Sequence, residues 1–234
     1  MTIGQFLVTF TTFIGINFLF QKFYDIEGFT YYQVLLCYSL ILTSFSITEV
    51  FTKGFNNFSY KIKTGQFDRI LLRPQNSVFQ IFCNEVELSK IGQLLQGIYI
   101  LIVSLINNKI IWNAYKILTL LFMIIGGIIL FLSIFIFQAA LCFFTIENFE
   151  FMNILTNGAK EYCKYPLVIY GKISLKFCTF IIPYALIQYY PLLYILGEKN
   201  EIHYVILPLM PIIFLLITVL FWNVGVKNYK STGS

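Results

Sequence analysis

The chain has 234 residues, of which 58% are hydrophobic and only 12% are charged, with a formal net charge of +5. Soluble domains carry about 25% charged residues, so this composition excludes an ordinary soluble protein, and the length leaves no room for a second domain of usual size. The positive charge is therefore interpreted through membrane topology and not as a sign of binding to nucleic acid.

Long stretches without Asp, Glu, Lys or Arg recur along the chain and predict an all-α, polytopic membrane protein. An α-helix needs about 20 apolar residues to cross the roughly 30 Å hydrocarbon core of a bilayer. Six stretches are long enough or nearly so, and the predicted spans are residues 2–21, 29–50, 91–107, 117–145, 177–196 and 204–225. No basic segment or small-residue cleavage site marks the first as a leader, so we expect a retained helix.

The connections between these spans differ in their basic residues, and this difference predicts the orientation. Most Lys and Arg side chains fall in residues 53–90, in residues 147–176 and in the tail after the last span. The connections on the other side hold Lys22, Lys109, Lys116 and Lys199. Because basic residues favour the cytoplasmic side, both termini are predicted in the cytoplasm, and 53–90 and 147–176 are predicted inner loops.

Glycine and proline distinguish the later spans. Gly126 and Gly127 lie in the middle of the fourth span, where small side chains allow neighbouring helices to approach closely. The fifth and sixth spans contain Pro183, Pro191, Pro208 and Pro211. Proline kinks a helix, but it is also commoner in membrane helices than in soluble ones. The sequence leaves open whether these two spans are broken.

The residues of a self-sufficient pump, enzyme or metal site are not found in the sequence. It has no G-x-x-x-x-G-K-[ST] phosphate loop, and no predicted span carries a charge at mid-bilayer, which ion-coupled transporters usually need. Five dispersed cysteines and a single histidine, His203, predict neither a metal site nor a bound cofactor. The polar residues deep within the predicted spans are Asn17, Gln138 and Gln188. They predict either hydrogen bonds between helices or a substrate path.

The most informative polar segment is 61–76, within the first predicted inner loop. Gly65 is a natural break, after which residues 66–73 can form about two helical turns. Asp68 lies near the start of these turns, where the free N–H groups and the helix dipole favour a carboxylate. Pro74 ends the helix because proline disfavours the α conformation in the residue before it.

This short helix is predicted to be amphipathic. Phe67, Ile70 and Leu71 form an apolar face, while Arg69 and Arg73 share another face through their i, i+4 spacing. Such an element fits either the lipid interface or a groove on a partner protein, and the residues alone do not decide between the two.

The pattern Gly65-x-Phe-Asp-x-x-Leu-x-Arg-Pro74 resembles the motif that follows the second span in the ABC-2 type permeases, in particular a family of ABC-transporter permease components. The tail, Gly225–Ser234, is similar to that family's C-terminus, where a final helix runs into a basic, tyrosine-containing end. The six-span layout also fits, so the resemblance covers nearly the whole chain.

The resemblance implies a set of partners. Such permeases pair in the lipid bilayer, as a homodimer or with a sister permease, and each binds a separate cytoplasmic subunit that holds ATP and Mg²⁺. Closure of that subunit is transmitted through the inner-loop helix, and substrate is exported across the plasma membrane of a bacterium. The residues that the resemblance assigns to this coupling are Gly65, Phe67, Asp68, Arg69, Leu71, Arg73 and Pro74.

Two other functions stay open on the residues alone. A passive channel or facilitator would need neither a nucleotide nor a charge at mid-bilayer, although no selectivity filter is visible in the sequence. A membrane-embedded enzyme acting on lipids would need convergent polar groups, which the sequence does not predict. We therefore expect a transport subunit without catalytic activity of its own.

Overall fold

A computed structural model describes residues 2–145 and 150–229 of the chain. The predicted tail residues 230–234 and the first residues of the predicted loop 147–176 lie outside the described ranges. The all-α prediction is confirmed for the described residues, which form no strand and only an isolated bridge between Ile26 and Phe29.

The helices, in chain order, are α1 (Thr2–Lys22), α2 (Tyr31–Phe51), α3 (Lys53–Asn56), α4 (Phe58–Lys63), α5 (Gln66–Leu71), α6 (Ser77–Asn84), α7 (Ile91–Asn107), α8 (Ala114–Thr145), α9 (Ala159–Tyr162), α10 (Gly171–Phe180), α11 (Tyr184–Ile187), α12 (Tyr189–Leu196), α13 (His203–Ile206) and α14 (Pro211–Asn228). Three 3₁₀ turns, Leu88–Lys90, Leu167–Tyr170 and Leu207–Leu209, and a π-helical turn, Ile154–Gly158, connect them. We call the end that carries Thr145 and Asn228 the inner end, following the predicted orientation.

Four of the described helical segments are long and apolar enough to cross a membrane: Tyr31–Phe51, Leu88–Asn107, Ala114–Thr145 and His203–Asn228. A fifth is obtained if the bent pair Leu167–Phe180 and Tyr184–Leu196 counts as one span. α1 is not in this set, although it is a continuous helix over the first predicted span. The count of six crossings therefore stays a prediction.

α2 is the central helix of the bundle and is buried along nearly its whole length. It packs against α7 on one side and α8 on the other, α1 covers α7, and α14 lies along α8. Ser44 Oγ donates to the Ile124 carbonyl (3.2 Å) and Thr48 Oγ1 to the Ile128 carbonyl (3.4 Å). Donors and acceptors advance together by four residues, so α2 and α8 run parallel.

Glycines allow this close packing, as expected for Gly126 and Gly127. A Cβ atom at Gly126 would lie 1.8 Å from the Pro208 carbonyl oxygen, and one at Gly127 would lie 2.6 Å from Ser44 Oγ. Two adjacent glycines thus admit two different neighbours, the turn before α14 and the helix α2.

The proline-containing spans are interrupted, which the sequence had left open. α10 ends at Phe180, three residues before Pro183, and the helical segments on either side of this break meet at 90°. In the last span a 3₁₀ turn over Leu207–Leu209 separates α13 from α14, which begins at Pro211. Each break coincides with a missing backbone donor.

Residues 150–170, which we call the connecting segment, extend along the bundle from the inner end. Tyr184 Oη, on α11, donates to the Leu155 carbonyl, and the Tyr184 ring lies 6.0 Å from Phe131 in the middle of α8. Further along, Tyr165, Ile169 and Tyr170 border a small cavity with Leu19 and Ile26. Those last two residues lie at the outer end of α1 and in the first predicted outer loop.

The structure therefore does not keep all of the predicted inner loop 147–176 at the inner end. Within the connecting segment, Met152, Ala159, Cys163 and Leu167 are buried in the helix bundle. The sequence does not reveal this path, because Lys160, Glu161 and Lys164 interrupt the apolar residues and no charge-free stretch of about 20 residues remains.

Candidate functional site

The predicted inner loop 53–90 forms four short helices, α3 to α6, and a 3₁₀ turn at the inner end of the bundle. The helix predicted over 66–73 is present as α5, six residues long, and a further turn is marked by the Arg73 N–H, which donates to the Ile70 carbonyl (3.3 Å). Pro74 follows this turn, as its effect on the preceding residue predicts.

Glycine is required at the start of α5. Gly65 has a φ of +66° in the left-handed region, which a side chain at this position would disfavour. Its carbonyl accepts from the Asp68 N–H (3.2 Å), which closes the first turn. From α6, Gln80 Nε2 donates to the carbonyls of Ile70 (3.1 Å) and Gln75 (2.9 Å), so the C-terminal end of α5 is braced as well.

Phe67 anchors α5 to the long helices. Its side chain is completely buried, and its ring lies 5.2 Å from Phe58 on α4, 5.2 Å from Phe143 on α8 and 5.1 Å from Tyr229. Trp222 on α14 completes this aromatic cluster, with its ring 5.0 Å from Phe143. Ring contacts therefore pack α5 directly against α8 and α14.

The opposite side of α5 faces away from the bundle. Leu72 is 86% exposed, Leu71 is 42% exposed, and Arg73 and Pro74 are exposed beside them. The predicted apolar face is thus divided, because Phe67 is buried and Ile70 is partly buried while Leu71 points outward. Leu71, Leu72, Arg73 and Pro74 thus form a small apolar and basic projection at the inner end of the molecule, which we call the knob.

Two ion pairs fasten the elements around this knob. Lys61 Nζ on α4 lies 2.8 Å from Glu85 Oε1, and Asn57 Nδ2 donates to Glu85 Oε2 (3.1 Å). Lys90 Nζ lies 2.5 Å from Glu49 Oε1 near the inner end of α2. The first pair therefore ties α4 to the end of α6, and the second ties the 3₁₀ turn before α7 to α2.

The first ion pair changes the ionisation of Glu85. Partial burial disfavours the charged carboxylate, but the hydrogen bond from Lys61 and its charge, aided by Asn57 and Lys53, outweigh this effect. Together they hold the pKa of Glu85 below its ordinary value.

The polar residues predicted as a substrate path lie in different settings. Asn17 is exposed on α1 and accepts from Gln21 Nε2 (3.4 Å). Gln138 is buried on α8, where its Oε1 has no hydrogen-bond donor among the described residues. Gln188 is fully buried and donates to the carbonyls of Cys163 and Tyr165, both at 2.9 Å. Its amide therefore holds the connecting segment against the start of α12.

Two glutamines of α7 are buried, which the sequence pattern does not predict. Gln93 is fully buried, and neither of its amide atoms has a partner within the described part of the chain. Gln96, one turn further on, accepts from Thr9 Oγ1 on α1. Gln93 and Gln96 are three residues apart and therefore share one face of α7. Gly97 beside them faces Thr43 on α2, so this spacing indicates that the glutamines face neighbouring helices.

The charged side chains of the connecting segment are likewise not predicted to lie among the long helices. Lys160 Nζ lies 5.3 Å from the centre of the Phe45 ring, in the inner half of α2. The expectation of no charge at depth was drawn from the predicted spans alone, and this residue lies outside them. In the sequence, the position of Lys160 is indicated only by charged residues that lie between the apolar ones from Met152 to Leu167.

A family model described as "ABC-2 family transporter protein" matches residues 6–233 of the chain. No curated protein and no solved structure matches it.

Proposed function

The chain belongs to the ABC-2 family of transporter proteins, and from this premise we propose that it is the membrane-spanning permease subunit of an ABC exporter powered by a separate ATP-binding subunit. Membership makes it a multi-pass membrane component of a transporter, and the recognition of the ABC-2 permease family is confirmed. The direction of transport and the energy source are the proposed parts.

The observation that carries the proposal is the division of α5 into two sides. Leu72 and Arg73 project from the inner end, while Phe67 on the same short helix is buried against Phe143 and Trp222. A partner that seats on the exposed side and moves will therefore move a helix that is already locked to α8 and α14. A channel working alone has no need for such a connection.

The charges around the knob favour an acidic partner surface. A cleft beside α5 is lined by Lys61, Gln66, Arg69, Ile70, Arg73, Gln80 and Asn84. Lys61 is paired with Glu85, and among the described residues Arg69 and Arg73 form no ion pair, so these two carry the cleft's unbalanced charge. In this proposal the ATP-binding subunit, which holds ATP and Mg²⁺, contributes carboxylates to the cleft.

The membrane arrangement proposed with this function has six crossings and both termini in the cytoplasm of a bacterium. α1, α2, α7, α8 and the last span supply five crossings, and the connecting segment with its bent helices supplies the remaining one. Basic residues of 53–90 support the orientation. A second permease, either another copy or a sister chain, completes the transporter within the lipid bilayer.

Isolation of the tagged chain from its own membrane in mild detergent tests the partner directly. We expect an ATP-binding subunit in stoichiometric amount by mass spectrometry, and vanadate-sensitive ATP hydrolysis by the complex. Leu72→Ala combined with Arg73→Ala should reduce co-purification at least tenfold. Leu88→Ala, which alters a residue 64% exposed outside α5, is the matched control and should change nothing.

The passive alternative predicts a different result. Substrate flux through vesicles that contain only this chain, without nucleotide and without any ATPase subunit, would overturn the proposal.

A further inference from the structure

The connecting segment places charged side chains beside the long helices, away from the inner end of the bundle. Phe45, whose ring lies 5.3 Å from Lys160 Nζ, packs edge-to-face on Phe131 at 5.0 Å, near the middle of α8. Lys164 Nζ lies 5.4 Å from the Tyr165 ring, closer to the outer end.

The charges in this region do not balance. Glu49 is paired with Lys90 at 2.5 Å, and Glu161 is paired with Lys164 at 3.2 Å. Lys160 Nζ reaches Glu161 at 3.9 Å, and within the described part of the chain no acceptor lies within hydrogen-bonding distance of it. Three cations therefore share two carboxylates, and Lys160, whose side chain is 14% exposed, carries the excess.

An unbalanced, mostly buried cation is energetically unfavourable. Removing charges from water carries a penalty that is repaid only by good pairing, and an ionisable residue within a membrane marks a functional site by default. The cation–π contact with Phe45 offsets a small part of this desolvation penalty for Lys160. The structure thus contains a cation at depth whose full counter-charge is not supplied by its neighbours.

The backbone around Lys160 is of the kind that lines transport sites. A π-helical turn over Ile154–Gly158 precedes the four-residue helix α9, and both are far shorter than a membrane crossing. π-Helical turns concentrate at functional sites, and transporters place binding groups on discontinuous helices. Glu161, with 51% of its side chain exposed, would be unfavourable against lipid, so this face borders water.

Resting on the proposed function, we propose that Lys160 binds the anionic group of the transported substrate. The substrate class is a molecule with a carboxylate or phosphate group. The face that carries Lys160, Glu161 and Lys164 lines its hydrated path. Beside that face Lys90 pairs with Oε1 of Glu49, and Lys160 is the third cation shared between the carboxylates of Glu49 and Glu161, left to receive the ligand's charge.

Binding to the purified chain in detergent tests this without the ATP-binding subunit. Dodecyl phosphate is the probe, dodecyl maltoside is the uncharged control, and native mass spectrometry counts the bound molecules. We expect dodecyl phosphate to bind the wild type, Lys160→Arg to retain binding, and Lys160→Met to lose it at least tenfold. Lys172→Met, at an exposed lysine on α10, is the matched control and should bind like the wild type.

Melting temperatures separate binding from folding. Because Lys160 is the surplus cation, Lys160→Met should melt at or above the wild-type temperature, whereas a lysine needed to neutralise Glu161 would lower it on removal. Equal binding of dodecyl phosphate by Lys160→Met, or equal binding of the maltoside by the wild type, overturns the proposal.

Inorganic phosphate distinguishes the two sources of such a ligand. Displacement of dodecyl phosphate by inorganic phosphate supports a soluble anionic substrate, and its absence supports an anionic lipid from the inner leaflet. Failure of this binding would leave co-purification with an ATP-binding subunit unchanged, and loss of that partner would leave the binding unchanged, so the two proposals fail independently.

Discussion

At the residue scale, Phe67 and Leu72 represent the buried side and the exposed side of α5. Phe67→Ala should lower the free energy of unfolding by about 3–5 kcal/mol, because it empties a completely buried aromatic position. Leu72→Ala, at a side chain 86% exposed, should change it by less than about 0.5 kcal/mol. Thermal or denaturant unfolding in detergent measures both, and equal effects would contradict the division of α5.

The ion pair between Glu85 and Lys61 makes stability depend on pH. Because the pKa of Glu85 is lower in the folded protein than its ordinary value, the folded state binds fewer protons in this range. The stabilisation is present above the ordinary carboxyl pKa and is lost as the pH falls through the lowered one. Unfolding measured from pH 7 to pH 3 should show this loss, and Glu85→Gln should flatten that part of the curve.

At the scale of elements, the glycines of α8 set the distance between helices. Gly126→Ala would place a methyl group 1.8 Å from the Pro208 carbonyl oxygen, so α8 and the turn before α14 must separate. We expect a loss of about 1–3 kcal/mol in unfolding free energy.

Gly15→Ala is the matched substitution for this prediction, since nothing lies within 4 Å of a Cβ atom there. Alanine is the better helix former, so this variant should be neutral or more stable. A comparable loss at both glycines, measured by thermal unfolding, would show that helix contact is not the cause.

The long helices could be predicted because each depends on a local property, a charge-free run of about one bilayer thickness. α5 could be predicted for a similar reason, since Gly65 and Pro74 bracket it and its faces follow helical spacing. The division of its apolar face could not, because burial of Phe67 depends on Phe143 and Trp222, which are distant in sequence. The path of the connecting segment also depends on tertiary contacts, such as that of Gln188 with the Cys163 carbonyl.

At the scale of the whole molecule, α8 joins the membrane to the inner knob. Its 32 residues extend about 48 Å, well beyond a hydrocarbon core of roughly 30 Å. The outer part meets α2 and the proline turn through Gly126 and Gly127, and the inner part carries Phe143 into the cluster around Phe67. One continuous helix therefore connects the proposed docking surface with the region that holds Lys160.

This arrangement predicts where the turn after the connecting segment lies. Lys172 is exposed two residues after Tyr170, which packs near Leu19 and Ile26. In the proposed topology that is the outer side, whereas a loop over all of 147–176 would place Lys172 inside. A cysteine at this position distinguishes the two, because Cys83 is the only exposed native cysteine among the described residues.

A membrane-impermeant maleimide added to intact cells should label Lys172→Cys in a Cys83→Ser background. The outer control, Lys109→Cys in the same background, should react equally, and Cys83 in the otherwise native chain should react only after the cells are opened. If Lys172→Cys were labelled only in opened cells while Lys109→Cys was labelled in intact cells, Lys172 would lie on the inner side. Lys160 would then no longer lie in a crossing, and its surplus charge could be met by cytoplasmic water instead of by a substrate.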